Sequence, residues 1–164
     1  MVTADRLLFV LKLLAALGCG LSAGVLFGFS SFVMSALGRL PPPQGIAAMQ
    51  SINITAISPV FFTPYFGSAL LCLYLGGRSF RSLGQPGAAY VLAACLLYLA
   101  GTILVTIAFN VPLNNALAVV QPESAEGAKM WATYLSRWTM WNHVRMLAAL
   151  GAATLFTLSL GQQP

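Results

Sequence analysis

The sequence has 164 residues, of which 59% are hydrophobic and only 7% are charged, whereas a soluble domain usually carries about 25% charged residues. This composition excludes a soluble fold and predicts a protein whose surface faces lipid. The net charge of +5 would suit nucleic acid, but the basic residues stand at the ends of apolar runs, where Lys and Arg meet lipid headgroups. We therefore interpret the charge as a marker of membrane topology and expect no nucleic-acid partner.

The first apolar run extends over residues 7–37 and exceeds the roughly 20 residues that cross a bilayer. We therefore expect a tilted span, or one that emerges from the membrane. Gly20, Gly24 and Gly28 recur every fourth residue and lie on one helix face. Such a face lets another backbone approach closely in lipid. The pattern predicts helix packing here, including a homo-oligomer formed through this face.

Three consecutive prolines at 41–43 end the first helix, because proline lacks the amide hydrogen and fixes its own φ. Residues 45–58 then form a semi-polar helical stretch in which Gln50 and Asn53 share a face. We expect this amphipathic segment to lead into a second span over residues 59–77.

A third span is predicted over residues 88–109, where Thr102, Thr106 and Asn110 repeat every fourth residue and form a polar stripe. The fourth span covers residues 141–160, and its helix extends outward because no Pro or Gly interrupts residues 131–150. The sequence therefore predicts one all-α domain over residues 1–164, a transmembrane four-helix bundle with an extended fourth helix.

An even number of spans places both termini on one side of the membrane. Four basic residues lie near the span ends on each side, so the positive-inside rule gives no clear preference. We expect an integral membrane protein with cytoplasmic termini.

Polar side chains concentrate on the side of the membrane away from the termini. Polar groups at membrane depth are costly and tend to face the bundle interior. At helical spacing, Tyr134, Trp138, Trp141, Asn142 and Arg145 share one stripe, which would pack against the polar face of the third span. The sequence thus predicts a pocket lined by these residues and by amides of other helices: Gln50, Asn53, Asn110 and Asn114.

His143 is the single histidine, and helical geometry turns it more than a quarter circle away from Asn142. It is a candidate structural residue, a candidate general base, or a single axial haem ligand. Carboxylates are absent from the apolar interior, and Cys19, Cys72 and Cys95 lack CxxC spacing. We therefore predict no metal site, and we interpret the cysteines as small core residues.

Four segments, taken in order and spacing, resemble the anthrone-oxygenase-like family of small four-helix membrane proteins, many of which are described only as a domain of unknown function. The segments are GVLFGFSSFVMSAL, GIAAMQSIN, NVPLNNALA and the motif W-x-x-W-N-H-V-R, which begin at residues 24, 45, 110 and 138. The resemblance extends over nearly the whole chain.

This resemblance implies that the protein oxidises an anthrone at its methylene carbon with dioxygen and needs no added cofactor. The family's polar positions map onto Asn142, His143 and Arg145, which we take as the candidate catalytic residues. From their chemistry, His143 would take the proton, and Arg145 with the Asn amides would stabilise the oxyanion. Substrate-binding positions are implied at Asn110, Asn114 and Trp138, and at Gln50 and Asn53. Trp141 joins them from the helical stripe alone. A flat, lipid-soluble anthrone would suit an aromatic cavity with a few amides.

Three functional classes stay open at this point. The first is an oxygenase or oxidoreductase acting on a lipophilic aromatic, anthrone-like or quinone-like molecule. The second is a non-enzymatic membrane module that binds a small ligand or serves as a subunit of a larger complex. The third is a haem protein with His143 as its single axial ligand.

Overall fold

The computed structural model describes residues 2–162, and every regular element in that range is helical. The predicted all-α membrane bundle is therefore confirmed. The elements are α1 (Val2–Gly28), a π-helical segment (Phe29–Val33), α2 (Met34–Leu37), α3 (Pro42–Thr55), α4 (Pro59–Phe80), α5 (Ala88–Leu96), two further π-helical segments (Leu97–Leu104 and Thr106–Asn110), α6 (Val111–Ala118) and α7 (Ala125–Leu160).

Four helical runs are long and apolar enough to cross a membrane, namely Asp5–Leu37, Pro59–Phe80, Ala88–Ala118 and Ala125–Leu160. The number of spans agrees with the sequence prediction, and the fourth helix extends outward from its span as expected, beginning at Ala125. The third helix ends at Ala118, beyond the predicted limit of residue 109. The third continues through Pro112, which stands at the start of α6 directly after a π-helical turn. Proline is tolerated at this position because an amide in the first turn of an α-helix has no acceptor within that helix.

Local sequence signals set the helix starts. Ser58 precedes α4 and its hydroxyl accepts a hydrogen bond from the amide of Phe61 at 3.4 Å. Ser124 precedes α7 and accepts from the amide of Gly127 at 2.9 Å. Both satisfy an amide that a helix start leaves free. Gly87 precedes α5 with a φ of 76°, a backbone conformation that favours glycine.

The four spans form a bundle in which α1 packs along α7 and α4, and α5 packs against α4 and α7. Two clusters of buried apolar side chains fill it. One lies toward the termini and contains Cys19, Cys72 and Cys95. The other lies beneath α3 and is built around Trp131, Tyr134 and Trp138. Large apolar side chains also point outward, for example Val60, which is 86% exposed, as expected of a surface that faces lipid.

The close helix contacts use other glycines than the sequence predicted. A Cβ atom at Gly101 would collide with the Ala148 side chain, and one at Gly18 would collide with Ser68. At Gly20 and Gly24 no atom lies within 4 Å of the position that a Cβ would take. These two glycines therefore do not pack against another helix of the same chain, and the homo-oligomer through this face stays a prediction.

Candidate functional site

A buried arginine organises the polar groups inside the bundle. Arg145 lies on α7, is 6% exposed, and donates from Nη2 to Asn142 Oδ1 at 2.7 Å. Its Nη1 donates to Thr106 Oγ1 at 3.3 Å, and its guanidinium lies 5.1 Å from the centre of the Trp138 ring, a cation–π geometry. Arg145, Asn142, Thr106 and their hydrogen-bonded neighbours are called the arginine cluster below.

Asn142 ties the arginine cluster to the first span. Its Nδ2 donates to the Leu26 carbonyl at 2.7 Å and to Ser30 Oγ at 2.8 Å. The side chain is fully buried, so its oxygen is left to accept from Arg145. This arrangement fixes the orientation of the amide, because each end has a partner of the required polarity.

Tyr65 of α4 completes the arginine cluster. Its hydroxyl lies 2.6 Å from Thr106 Oγ1, and Thr106 in turn donates to the Thr102 carbonyl at 2.6 Å. Since a hydroxyl has one hydrogen, Tyr65 must donate to Thr106. The Tyr65 oxygen therefore keeps its lone pairs for another donor.

The Arg145 charge has no carboxylate counter-ion nearby. The sequence contains only three acidic residues, Asp5, Glu123 and Glu126, and none is among the groups that act on the guanidinium. Arg145 Nε is buried and lacks a hydrogen-bond partner among the described residues. A buried unpaired charge is unfavourable, and the position would be stabilised by an anion or an electron-rich oxygen.

A second group of amides and aromatic rings adjoins the arginine cluster through Trp138. Asn114 Oδ1 accepts from Tyr134 Oη and from Trp138 Nε1, both at 2.8 Å. Asn53 Nδ2 reaches Tyr134 Oη at 3.5 Å. Asn110 Nδ2 donates to the Trp138 carbonyl at 3.2 Å, whereas its Oδ1 is buried without a partner. The region thus contains an unpartnered acceptor on Asn110 and an unpartnered donor on Arg145.

Three other predicted residues lie apart from this centre. Gln50 donates to the carbonyls of Leu117 and Val120 at 2.8 and 3.1 Å, and so fastens α3 to the end of α6. Trp141 stacks on Phe109 with ring centres 3.7 Å apart, at the edge of the buried stripe. His143 is exposed on the outer face of α7, as its helical position indicated. The residues predicted to line one pocket therefore form two adjoining, closely packed groups, and these three lie outside both.

The π-helical segments coincide with these polar groups. Phe29–Val33 contains Ser30, Leu97–Leu104 contains Thr102, and Thr106–Asn110 begins and ends on two polar residues of the site. Such wide turns often occur at functional sites in α-helices. Sequence reasoning missed them, and it also missed Tyr65, which belongs to no polar stripe and follows Pro64 in an apolar run.

Fold and site define a multi-pass helical membrane protein with a closed polar interior organised around one arginine. The family model described as anthrone oxygenase matches residues 58–155, which is more than half of the chain and includes Tyr65, Asn142 and Arg145. The chain belongs to the anthrone oxygenase family, as its motifs predicted. No curated protein and no solved structure matches it.

Proposed function

We propose that this protein is a membrane-embedded oxygenase that oxidises a lipophilic aromatic molecule of the anthrone or quinone class at the arginine cluster. Family membership supports the reaction class. The observation that carries the site is Arg145, a buried cation with an unpartnered Nε and no carboxylate among its neighbours. The anthrone class is taken from the family, which alone does not fix a substrate. Arg145 supports it because the anion of an anthrone carries its charge on an oxygen atom.

The reaction proposed for an anthrone is the oxidation of its ring methylene to a carbonyl. One anthrone and one dioxygen give one anthraquinone and one water, so one oxygen atom of dioxygen enters the new carbonyl and the other leaves as water. Removal of a methylene proton yields an enolate whose negative charge is largely on the oxygen of the carbonyl group already present. That anion is electron-rich enough to react with dioxygen.

Arg145 would stabilise this anion. A fixed cation in a water-poor site lowers the free energy of a developing oxyanion more than the same charge does in water. Asn142 holds the guanidinium in place, and the Asn110 oxygen is free to accept a hydrogen bond from a phenolic hydroxyl of the substrate. Trp138 supplies a flat aromatic surface beside both groups.

The route of the proton in this proposal uses the Tyr65 and Thr106 hydroxyls, which are hydrogen-bonded to each other beside Arg145. Each hydroxyl both donates and accepts, so the pair would take the methylene proton on the Tyr65 oxygen and return it to the oxygen atom of dioxygen that leaves as water. His143 is exposed on the outer face of α7, so it would serve as the general base only for a substrate bound on that outer surface. The proposal therefore assigns the interior chemistry to Arg145 and its hydrogen-bonded neighbours.

Substrate would reach the interior by local opening, since Trp138 and Asn142 are 5% and 0% exposed. The π-helical segment Phe29–Val33 is the candidate gate. Phe29 lies against Trp138 with ring centres 5.6 Å apart, and Ser30 is bound to Asn142. Movement of this segment would expose the indole ring and the guanidinium together.

The test is dioxygen uptake by the detergent-purified protein on addition of an anthrone, corrected for spontaneous oxidation. We expect Arg145→Gln to lower the rate by about 10²–10³-fold, the usual effect of losing one oxyanion-stabilising group. The control is Arg137→Gln, which removes an exposed arginine of the same helix and should leave the rate unchanged. With ¹⁸O₂, one labelled atom should appear in the product carbonyl.

Uptake no faster than the spontaneous rate would contradict the proposal and favour a non-enzymatic role in ligand binding or membrane-complex assembly. A visible Soret band in the purified protein, lost in His143→Ala, would instead support the haem alternative.

We also propose that both termini face the cytoplasm. Arg6, Lys12, Arg78 and Arg81 lie near span ends on the side of the termini. Arg39, Lys129, Arg137 and Arg145 lie on the other side. Lys12 and Arg145 are both buried, which leaves three exposed basic residues on each side, so the positive-inside rule gives no preference and the proposal depends on a labelling test of topology.

A further inference from the structure

Two clefts lie side by side on the surface of α4. The larger runs between α1 and α4, and the smaller is at the end of α4 near the termini. The larger has a volume of about 1270 Å³ and an apolar lining that includes Leu7, Leu11, Leu14 and Leu70. The smaller has a volume of about 500 Å³ and is lined by Gly77, Arg78, Arg81 and Ser82. Tyr74 lines both, so the apolar groove and the basic cleft adjoin at this side chain.

Positive charge concentrates at this junction, and none of the described residues that line the two clefts is acidic. Arg78 and Arg81 are exposed, and the Ser82 hydroxyl between them and the next loop donates to the Arg78 carbonyl at 3.0 Å. Lys12 of α1 is 7% exposed, lies near enough to Arg78 for their charges to repel, and has no carboxylate among the groups acting on it. Arg78 and Arg81 line the smaller cleft, and the nearby Lys12 adds to the positive potential there, which would stabilise a bound anion.

We propose that this junction is a binding site for an anionic phospholipid. The phosphate would bind Arg78 and Arg81, with Lys12 adding its charge, and one acyl chain would lie in the groove between α1 and α4. Arginine matches phosphate because its planar fork donates two parallel hydrogen bonds. Basic pockets beside membrane helices are recognised sites for anionic headgroups.

An apolar groove beside a basic cleft favours an anionic phospholipid over other ligands. A soluble phosphate compound would use the basic cleft but would leave the apolar groove empty. A second copy of the chain could fill the groove with apolar side chains, but near this end of the bundle it carries only one carboxylate, Asp5, against Arg6, Lys12, Arg78 and Arg81. An anionic phospholipid carries its phosphate and a long apolar chain in one molecule, so it can occupy both clefts.

The experiment measures lipid binding by the detergent-purified full chain, using native mass spectrometry and thermal stabilisation. Phosphatidylglycerol should bind more tightly than phosphatidylcholine of the same acyl chains, and its binding should weaken with salt. A basic residue near a membrane surface contributes about 1 kcal/mol to anionic-lipid binding, which is about fivefold in affinity. The double variant Arg78→Gln/Arg81→Gln should therefore lose about 25-fold.

A second pair of variants tests the groove. Gly67 lines it, and no atom lies within 4 Å of a Cβ placed there, so Gly67→Phe would fill the groove without a clash at the backbone. It should weaken phosphatidylglycerol binding. Ala93→Phe adds the same ring to an exposed position of α5 and should not. The exposed Arg137→Gln serves as the charge control.

Three results would overturn the proposal. One is equal binding of the two lipids. Another is unchanged phosphatidylglycerol binding in the arginine double variant. The third is stabilisation by inorganic phosphate equal to that by phosphatidylglycerol and unaffected by Gly67→Phe, which would show a simple anion site. None of these measurements depends on oxygenase activity.

Discussion

Asn142 and Arg145 should be energetically coupled, because one hydrogen bond joins them in a site that excludes water. Asn142→Ala removes three side-chain hydrogen bonds, two to the first span and one from the guanidinium. At about 1 kcal/mol for each net hydrogen bond, with more for the charged one, we expect a loss of about 3–5 kcal/mol in the free energy of unfolding. The larger part of that loss comes from leaving a buried cation without its acceptor.

Arg145→Met should cost much less. It removes the buried charge and replaces it with an apolar side chain that fits an apolar bundle, and such exchanges are often close to neutral. The Asn142 oxygen then lacks a donor, which costs about 1–3 kcal/mol. In the double variant this cost disappears together with the amide, so the two effects should not add. The coupling energy should be about 1.5–3 kcal/mol.

The assay is a double-mutant cycle, with unfolding followed by far-UV circular dichroism as the mole fraction of sodium dodecyl sulfate rises in mixed micelles. The control cycle combines Asn142→Ala with Gln50→Ala, because Gln50 binds carbonyls at the end of α6 and shares no hydrogen bond with Asn142. That cycle should be additive within about 0.5 kcal/mol. If the free-energy changes of Asn142→Ala and Arg145→Met were also additive within about 0.5 kcal/mol, the proposed coupling between the two residues would be refuted.

Two further predictions address the rest of the fold. Gly24→Leu should leave monomer stability unchanged but abolish any homo-oligomer seen by cross-linking. Gly101→Leu should destabilise the monomer by more than about 3 kcal/mol, because the new side chain would overlap with Ala148. An equal loss of stability in both variants would contradict the assignment of close helix packing to Gly101 and not to Gly24. The topology can be tested with a membrane-impermeant maleimide added to intact cells. It should label Gln121→Cys and not Gln85→Cys, since these exposed positions lie at opposite ends of the bundle. The reverse pattern would place the termini outside the cell.

The sequence predicted the parts of this molecule that follow from composition and regular periodicity. Long apolar runs indicate four spans, and helical spacing alone places Trp138, Asn142 and Arg145 on one buried stripe of α7. The outward direction of His143 followed from the same spacing. These inferences hold because α7 is a regular α-helix over its whole length.

The parts that sequence reasoning missed depend on irregular backbone and on long-range contact. A π-helical turn leaves no distinct pattern in the hydrophobic periodicity, so the placement of Ser30 beside Asn142 was not predictable. Tyr65 forms its hydrogen bond with Thr106, a residue 41 positions away in the sequence. A single tyrosine in an apolar span is usually interpreted as a core residue. The open surroundings of Gly20 and Gly24 also could not be predicted, because glycine spacing indicates close approach without identifying the partner.

The distribution of charge links the two proposed sites. At the end of the bundle near the termini, Arg78 and Arg81 are exposed and can take an anion directly from the surrounding bilayer. In the other half, Arg145 is enclosed, so lipid headgroups reach it only if the helices separate. A buried cation that membrane anions do not satisfy keeps its attraction for an anion formed inside the bundle. Burial makes the Arg145 charge unfavourable for folding, and the same burial would make that charge stabilise an enolate strongly. Asn142→Asp would pair the guanidinium with a carboxylate, so it should lower the oxidation rate even if the protein folds.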